Sequence, residues 1–492
     1  MIIKTTKRKG DDIILASELF GNQWPQENCA IKGITCDSRK IKKGDVFVCV
    51  KGENDSGYRY IKEAEQRGAA AIVADSPVYS NIPVILYCNP RRKMAELAKR
   101  IYGMPDCKMT LVGVTGTNGK TTVTHLIRDI LLSADKKTAL IGTNGCFYNR
   151  YLTNESFSTS TTPESADFWK ILKDMRELGS EYAVCEVSSH ALALDRVYGA
   201  DFDLGVFTNL TPEHLDFHKN MESYFNAKKK LFEMCDCCVI NTDDEYGKRL
   251  YESFGGKSIS IGMNNADITA ENVTKTANGS SFVINSNGAR LKAYIPIPGE
   301  FSVYNALCAY AAGVSMGISE GVILKGLSET SGVKGRCERI ETNTDFSVII
   351  DYAHTPDGLE KIIKTLKSVA GGRVITLFGC GGDRDKTKRS VMGKISGENS
   401  DFTIITSDNS RTENPIAIIR DIEKGICDVT DEYIVIPDRY NAIEYALANA
   451  RENDIVLLAG KGHEDYIIKG TKKIHFDERE AVDEILKRTG NR

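Results

Sequence analysis

Short apolar runs alternate along this chain with segments of helical periodicity. That pattern predicts strands and helices arranged as mostly parallel sheets covered on both faces. In the first part of the chain the predicted strands are 45–50 (DVFVCV), 69–74 (AAAIVA) and 84–87, with an amphipathic helix over 61–68. Met104-Pro105-Asp106 reads as a linker. A second stretch begins with the apolar run 109–114, turns through Gly and Thr, and enters a helix over 121–133. Strands at 183–187 and 204–208 and a helix over 301–316 continue the alternation to about 330. A third stretch starts near Gly335-Arg336, with strands 347–351, 373–378, 402–406 and 455–459 and helices 356–370 and 415–423 between them. This is a doubly wound unit, in which ligands gather beyond the carboxyl ends of strands.

The turn after the run 109–114 carries the first candidate chemistry. Gly113-Val-Thr-Gly116-Thr-Asn-Gly119-Lys120-Thr121 joins a strand to a helix. Backbone N–H groups and a helix N-terminus there make an anion site, Lys120 brings a cation to the β/γ-phosphates, and the Thr121 hydroxyl can reach Mg²⁺. Val114 stands at the first glycine position of the strict phosphate-loop pattern. Two further strand ends carry Glu186-Val-Ser188-Ser-His190 and Asn209-Leu-Thr-Pro-Glu213-His214-Leu-Asp216-Phe-His218. A carboxylate and an imidazole at neighbouring strand ends can hold a divalent ion for phosphoryl transfer. His214 and His218 have the spacing of a helical zinc pair, but the glutamate of H-E-x-x-H is missing. Lys228-Lys229-Lys230 taken alone reads as a solvated helix face, and Thr161-Thr162-Pro163 as a turn.

Composition narrows the class. The 492 residues suggest about three domains. With 41% hydrophobic and 27% charged residues, the chain can bury a sizeable core. The formal charge of −3 gives no sign of a nucleic-acid or membrane-surface partner. No apolar run approaches a membrane span. The basic segment 1–10 runs into Gly10-Asp11-Asp12, where a signal peptide would have its apolar core, so a cytoplasmic location is expected. Apart from the Cys235–Cys238 segment, the 14 cysteines show no C-x-x-C spacing and read as reduced thiols. Cys235-Asp-Cys237-Cys238 could hold a metal, but the Val-Ile-Asn that follows favours a buried strand with small apolar cysteines.

Taken together these segments resemble the Mur ligases, and within them the UDP-N-acetylmuramoyl-tripeptide synthetases. The matching segments run in family order over nearly the whole chain: TGTNGKTT at 115–122, TTPE at 161–164, EVSSHAL at 186–192, NLTPEHLDFH at 209–218, AKKKLF at 227–232, YNALCA at 304–309, GRCERI at 335–340, DYAHTPDGLE at 351–360, FGCGGDRDKTKR at 378–389, DNSR at 408–411 and AGKGHEDY at 459–466. The resemblance implies an α/β fold of three domains: a UDP-muramoyl-binding domain over 1–107, a central P-loop parallel-sheet ATPase domain over 108–335, and a Rossmann-like amino-acid domain over 336–492. It implies a cytoplasmic monomer acting in peptidoglycan precursor synthesis for the cell wall. There, ATP phosphorylates the γ-carboxylate of D-Glu in a UDP-linked muramoyl dipeptide, and an amine attacks the acyl phosphate.

The same resemblance implies roles for individual residues. Val114, Thr115, Gly116, Thr117, Asn118, Gly119, Lys120 and Thr121 serve ATP, together with Asn305, Arg336 and Asp351. Lys120, Glu186, His214 and Lys228 carry the chemistry, and Thr121, Glu186, His214 and Lys228 gather Mg²⁺, with Lys228 as a carbamate. Ser38, Thr161, Thr162, Ser188 and Arg196 contact the UDP-sugar substrate. Arg384, Asp408, Asn409, Ser410, Arg411, Gly460 and Glu464 receive the incoming amino acid. Family members that use meso-diaminopimelate carry D-N-P-R, whose arginine can grip a second carboxylate. Here Arg411 is present and Ser410 replaces the proline, so meso-diaminopimelate is the expected substrate and L-lysine or another diamino acid the alternative. A folate-extending ligase of the same superfamily and a catalytically dead binding protein are further alternatives. The Asp37-Ser38-Arg39 and DNSR segments argue against the first, and intact Lys120, Glu186, His214 and Lys228 against the second.

Overall fold

The structure is a computed structural model that describes residues 14–25, 27–52, 56–155, 157, 159 and 161–489. The basic segment 1–10 and the Asp11-Asp12 after it lie outside them. The chain forms two compact units, Met1–Ile268 with Cys308–Gly326, and Thr269–Leu307 with Leu327–Arg492. The fold is α/β in both, as expected.

The first unit opens with four parallel strands in sequential order, β1 (Gly33–Thr35), β2 (Asp45–Val48), β3 (Ala71–Ala74) and β4 (Val84–Leu86). Helix α1 (Ile61–Gln66) stops short of the expected residue 68 because Gly68 adopts φ 83°, the left-handed stop that ends helices. Helix α2 (Pro90–Ile101) begins where Asn89 caps the Arg92 N–H and proline fills the first turn.

The larger sheet of this unit carries the phosphate-loop motif. Its parallel strands are β5 (Thr110–Thr115), β6 (Thr138–Gly142), β7 (Tyr182–Glu186), β8 (Phe202–Phe207), β9 (Cys235–Asn241) and β10 (Ser258–Gly262), in spatial order β6-β7-β5-β8-β9-β10. Central β5 has β7 on one side and β8 on the other. Its register sets Glu186 opposite Val114 and Phe207 opposite Thr115. Helix α3 (Lys120–Ser133) follows β5 and is buried from Thr121 to Leu131, as a helix covered by its own sheet and by neighbouring elements must be. Helix α4 (Met221–Glu233) precedes β9. The C-D-C-C segment is indeed part of a strand, with Cys235 and Cys238 buried.

The strand–helix alternation expected as far as 330 breaks in the second unit. There β11 (Gly279–Ser286) and β12 (Ala289–Ile295) form an antiparallel hairpin. Asn287 and Gly288 adopt φ 48° and 81°, the backbone of the two-residue turn that Asn-Gly favours. The remaining sheet is doubly wound: β13 (Ser347–Asp351), β14 (Val374–Phe378), β15 (Phe402–Ile405), β16 (Tyr433–Val435) and β17 (Ile455–Ala459) lie parallel in the order β13-β17-β14-β15-β16. Among the described residues no helix is long and apolar enough to cross a membrane.

Candidate functional site

The carboxyl end of β5 turns into the loop 116–119, whose shape is forced by two glycines. Gly116 has φ 153°, and a Cβ there would lie 1.9 Å from Thr208 Oγ1; Gly119 has φ 86° at the start of α3. The loop is braced from the end of β8. Thr117 N donates to Asn209 O at 2.9 Å, Asn118 N to Asn209 Oδ1 at 2.9 Å, and Thr208 Oγ1 to Asn118 O at 2.6 Å. Lys120 Nζ curls back to donate to the carbonyls of Gly116 and Thr117, both at 2.8 Å. A helix N-terminus, a glycine-bent loop and a lysine at its mouth are the elements of an anion site.

Glu186 ends β7 beside this loop and is 1% exposed. Its Oε2 accepts from Thr121 Oγ1 at 2.9 Å and from Thr143 Oγ1 at 3.0 Å, and its Oε1 accepts from Thr143 N at 2.9 Å. Gly142 makes the room: a Cβ there would meet Glu186 Oε1 at 2.2 Å. Thr121 and Glu186 thus bring two oxygen donors together, the ligand type a hard cation such as Mg²⁺ takes alongside water and phosphate oxygens. Thr143 Oγ1 also lies 3.3 Å from Thr161 Oγ1, whose hydroxyl can donate to it. Thr162 Oγ1 donates to Glu186 O at 2.9 Å and accepts from Ser188 N at 3.0 Å. Arg196 donates to Thr162 O at 3.3 Å and pairs with Glu164 at 2.9 Å. The expected residues Thr121, Thr161, Thr162, Glu186, Ser188 and Arg196 are therefore linked through one hydrogen-bonded patch.

On the other side of the loop, α4 contradicts the solvated reading of its lysine run. Lys228 is 2% exposed and donates to Gly116 O at 2.8 Å, the carbonyl that Lys120 also uses. Burial and the Lys120 ammonium hold the Lys228 amine well below its usual range, opposed by Glu213. Its Nζ lies 4.6 Å from the Tyr224 ring centroid. His214 sits in left-handed backbone, φ 56°, with its Nε2 3.7 Å from Glu213 and its ring 4.7 Å from that of His190. Burial and the nearby Lys120 and Lys228 lower its pKa, against the pull of Glu213. His218 pairs through Nε2 with Ser189 Oγ at 2.9 Å, and burial pushes it down to about 4. Among the described residues no three His, Cys, Asp or Glu side chains cluster as a metal set. Ser38 lies farther toward the N-terminus, in the four-stranded part, where its hydroxyl donates to Glu63 at 2.7 Å.

The second unit holds the other expected residues. Asn305 is buried on the helix Glu300–Ser315. Asp351, at the end of β13, accepts from Cys337 N at 2.6 Å and Ala353 N at 2.8 Å; burial raises its pKa, with Arg336 opposing. The Arg336 guanidinium lies 4.7 Å from the Tyr352 ring, and its Nε is buried with no hydrogen-bond partner among the described residues. At the ends of β15 and β17, Asn409 Nδ2 donates to Glu464 Oε2 at 2.9 Å. Buried Asp408 is held low, because Lys461 and Arg439 outweigh the upward pull of desolvation. Gly460 has φ 108°, and a Cβ there would lie 3.2 Å from Asp408 Oδ2. Ser410 is buried, Arg411 donates to Gly382 O at 2.8 Å, and Arg384 is exposed on the loop after β14. Asp408, Asn409, Ser410, Arg411, Gly460 and Glu464 are thus neighbours. Sequence reasoning did not single out Thr143, Asn209 or Lys461.

The chain is similar to known proteins over nearly its whole length. The Mur ligase middle domain profile matches residues 114–313, the Mur ligase glutamate ligase domain 335–462, and the Mur ligase family catalytic domain 30–102. The UDP-N-acetylmuramoyl-L-alanyl-D-glutamate–2,6-diaminopimelate ligase of Clostridium tetani is 45% identical, over 93% of this chain and 95% of its own. The protein of that name from Clostridioides difficile is 43% identical, over 97% and 99%. A solved structure of a UDP-N-acetylmuramoyl-L-alanyl-D-glutamate–2,6-diaminopimelate ligase superposes with a TM-score of 0.71 at 28% identity, covering 98% of this chain and all of the other.

Proposed function

Because the chain belongs to the Mur ligase family, we propose that it is the ligase that joins meso-diaminopimelate to the D-Glu γ-carboxylate of UDP-N-acetylmuramoyl-L-Ala-D-Glu, at the expense of ATP, in the cytoplasm. The observation that carries this reading is that one unit holds a phosphate loop whose Thr121 is bonded to Glu186, and the other holds the Asp408–Arg411 and Glu464 cluster. The relatives named for this substrate pair support it. The loop N–H groups and Lys120 would hold the β/γ-phosphates, and the γ-phosphoryl would pass to the substrate carboxylate. The amine of the diamino acid would then attack the acyl carbon, with phosphate leaving.

Thr121, Glu186, His214 and Lys228 are the residues that would hold Mg²⁺, and the oxygen-rich pair Thr121 and Glu186 fits such an ion. When bound it would neutralise charge on the phosphates. Lys228 fits carbamylation, since burial favours the neutral form of its amine, the nucleophile that CO₂ requires. Asn305, Arg336 and Asp351 are assigned to the nucleotide, and the buried Arg336 Nε, which has no hydrogen-bond partner among the described residues, supports that assignment. Ser38, Thr161, Thr162, Ser188 and Arg196 are assigned to the UDP-sugar substrate.

The deciding experiment is phosphate release with ATP, Mg²⁺ and UDP-muramoyl-L-Ala-D-Glu, with meso-diaminopimelate or L-lysine supplied in parallel. Turnover with diaminopimelate alone is expected. Turnover with lysine alone would transfer the assignment to the lysine-adding reaction, and none with either would overturn it. Arg411→Ala is expected to raise the KM for diaminopimelate by roughly tenfold or more, the weight of a charged hydrogen bond, with the KM for ATP unchanged. Unchanged diaminopimelate kinetics would remove Arg411 from the amino-acid site. Thr143→Val, which deletes the 3.0 Å bond to Glu186, is expected to cost roughly tenfold in turnover, whereas Thr143→Ser restores the hydroxyl and stays near wild type. Equal kinetics for the Val and Ser variants would show that this hydroxyl does not matter.

A further inference from the structure

Beyond the residues assigned to the incoming amino acid lies a charged group that none of those assignments uses. Lys461 follows β17 and its side chain is fully buried. Its Nζ lies 3.1 Å from Glu464 Oε2 and 3.6 Å from Asp408 Oδ1. It is also 5.6 Å from the centre of the Tyr466 ring. A buried lysine is tolerated where carboxylates surround it, and here both carboxylates belong to the amino-acid cluster.

The hydrogen-bond pattern at Glu464 is one-sided. Asn409 Nδ2 at 2.9 Å and Lys461 Nζ at 3.1 Å both donate to Oε2. Oε1 accepts no hydrogen bond among the described residues. Asn409 is fixed in turn, because its Oδ1 accepts from Ile468 N at 2.8 Å. The Glu464 side chain is therefore tied by one oxygen to two rigidly placed donors, leaving the other oxygen to accept from a ligand.

We propose that Lys461 is a positioning residue for the incoming amino acid: it holds Glu464 by Oε2 so that Oε1 is presented to an ammonium group of the substrate, and it keeps Glu464 and Asp408 together as anions in one pocket. This rests on the reading of that cluster as the diamino-acid site. An ammonium ligand is the chemistry that such a preset carboxylate oxygen takes, and Arg411 beside it offers the complementary charge for a carboxylate of the same molecule. Without Lys461 the two carboxylates would lose the cation they share, although Arg439 and His354 still face Asp408, and the pair would hold both charges less readily as pH falls.

Lys461→Met and Lys461→Arg test this in the full-length enzyme. Wild-type phosphate release with meso-diaminopimelate is measured first, and its failure would refute the substrate reading rather than the role of Lys461. With that activity in hand, Lys461→Met is expected to raise the KM for diaminopimelate at least tenfold while the KM values for ATP and the UDP-linked dipeptide change less than twofold. With bicarbonate added throughout, its diaminopimelate kcat/KM should also fall relative to wild type between pH 8 and pH 6. Lys461→Arg should recover most of the affinity and the wild-type pH profile. The proposal is overturned if all three KM values rise together, if the pH profile of Lys461→Met follows wild type, or if Lys461→Arg is no better than Lys461→Met. Should Lys461→Met fail to fold, as read by its melting curve, Lys461→Arg against Glu464→Gln decides. Glu464→Gln must then reproduce the selective rise in diaminopimelate KM, and Lys461→Arg must not.

Discussion

Lys228→Met is expected to lower ligase turnover by roughly 10²–10³-fold, the scale on which loss of one preorganised charged group is felt at a transition state. The chain is a Mur ligase, and within the proposed site Lys228 has the most constrained position. It is 2% exposed, and it shares the Gly116 carbonyl with Lys120, each at 2.8 Å. Two ammonium groups on one carbonyl oxygen repel each other, and burial adds to the cost, so the Lys228 amine is depressed from an ordinary value of 10.5. A depressed amine is unprotonated over more of the neutral range. That is the condition for adding CO₂, which would turn a second cation beside the phosphates into an anion able to help gather a divalent ion.

The sign with pH follows. Lowering the pH protonates the amine and removes the nucleophile, so activity in degassed buffer should fall as pH drops and recover with added bicarbonate. Lys228→Met should show no response to bicarbonate at any pH. Its melting temperature should not fall, because a buried and poorly compensated amine is replaced by an apolar chain of similar length. Turnover within tenfold of wild type in Lys228→Met would remove the residue from the chemistry. A bicarbonate-independent wild type would remove the carbamate while leaving a role for the amine.

The order of strands and helices was legible from apolar runs and turn residues, and so was the phosphate loop. The Asn287-Gly288 hairpin was legible in principle, since Asn-Gly between two apolar runs signals a two-residue turn, yet the surrounding alternation masked it. Lys228 shows a subtler limit. Three consecutive lysines look solvated, but Tyr224, Ala227, Lys228 and Leu231 recur at helical spacing and are the buried face of α4. Thr143 and Lys461 were not legible, because each acts through tertiary register. Thr143 reaches Glu186 only because β6 pairs with β7, Cys185 opposite Ile141. Lys461 meets Asp408 only because β17 and β15 end at the same edge of one sheet.

Gly335→Ala is expected to be the most destabilising of the single-methyl additions near the candidate nucleotide residues. Gly335 has φ 74°, and a Cβ there would lie 2.1 Å from His463 N and 2.2 Å from the Gly462 carbonyl carbon. Gly462 is equally confined, with φ 54° and a Cβ position 2.6 Å from Tyr352 Cβ. Neither obstruction is the tip of a flexible side chain, so backbone must move. The left-handed backbone costs alanine about 1–2 kcal/mol, and overpacking adds about 1–3 kcal/mol. At about 2–4 °C per kcal/mol for a domain of this size, the melting transition of the second unit should fall by roughly 4–20 °C. Gly332→Ala is the internal control: it has the same left-handed backbone, φ 72°, but no atom within 4 Å of the added methyl, so it carries the strain without the collision. Calorimetry on the full-length protein should therefore rank wild type above Gly332→Ala and Gly332→Ala well above Gly335→Ala. Equal losses in the two variants would mean that the close approach of Gly335 to Gly462 and His463 does not hold in solution. The close packing assigned to Arg336, Tyr352 and His463 would fail with it, because Arg336 follows directly on Gly335 and its guanidinium lies over the Tyr352 ring.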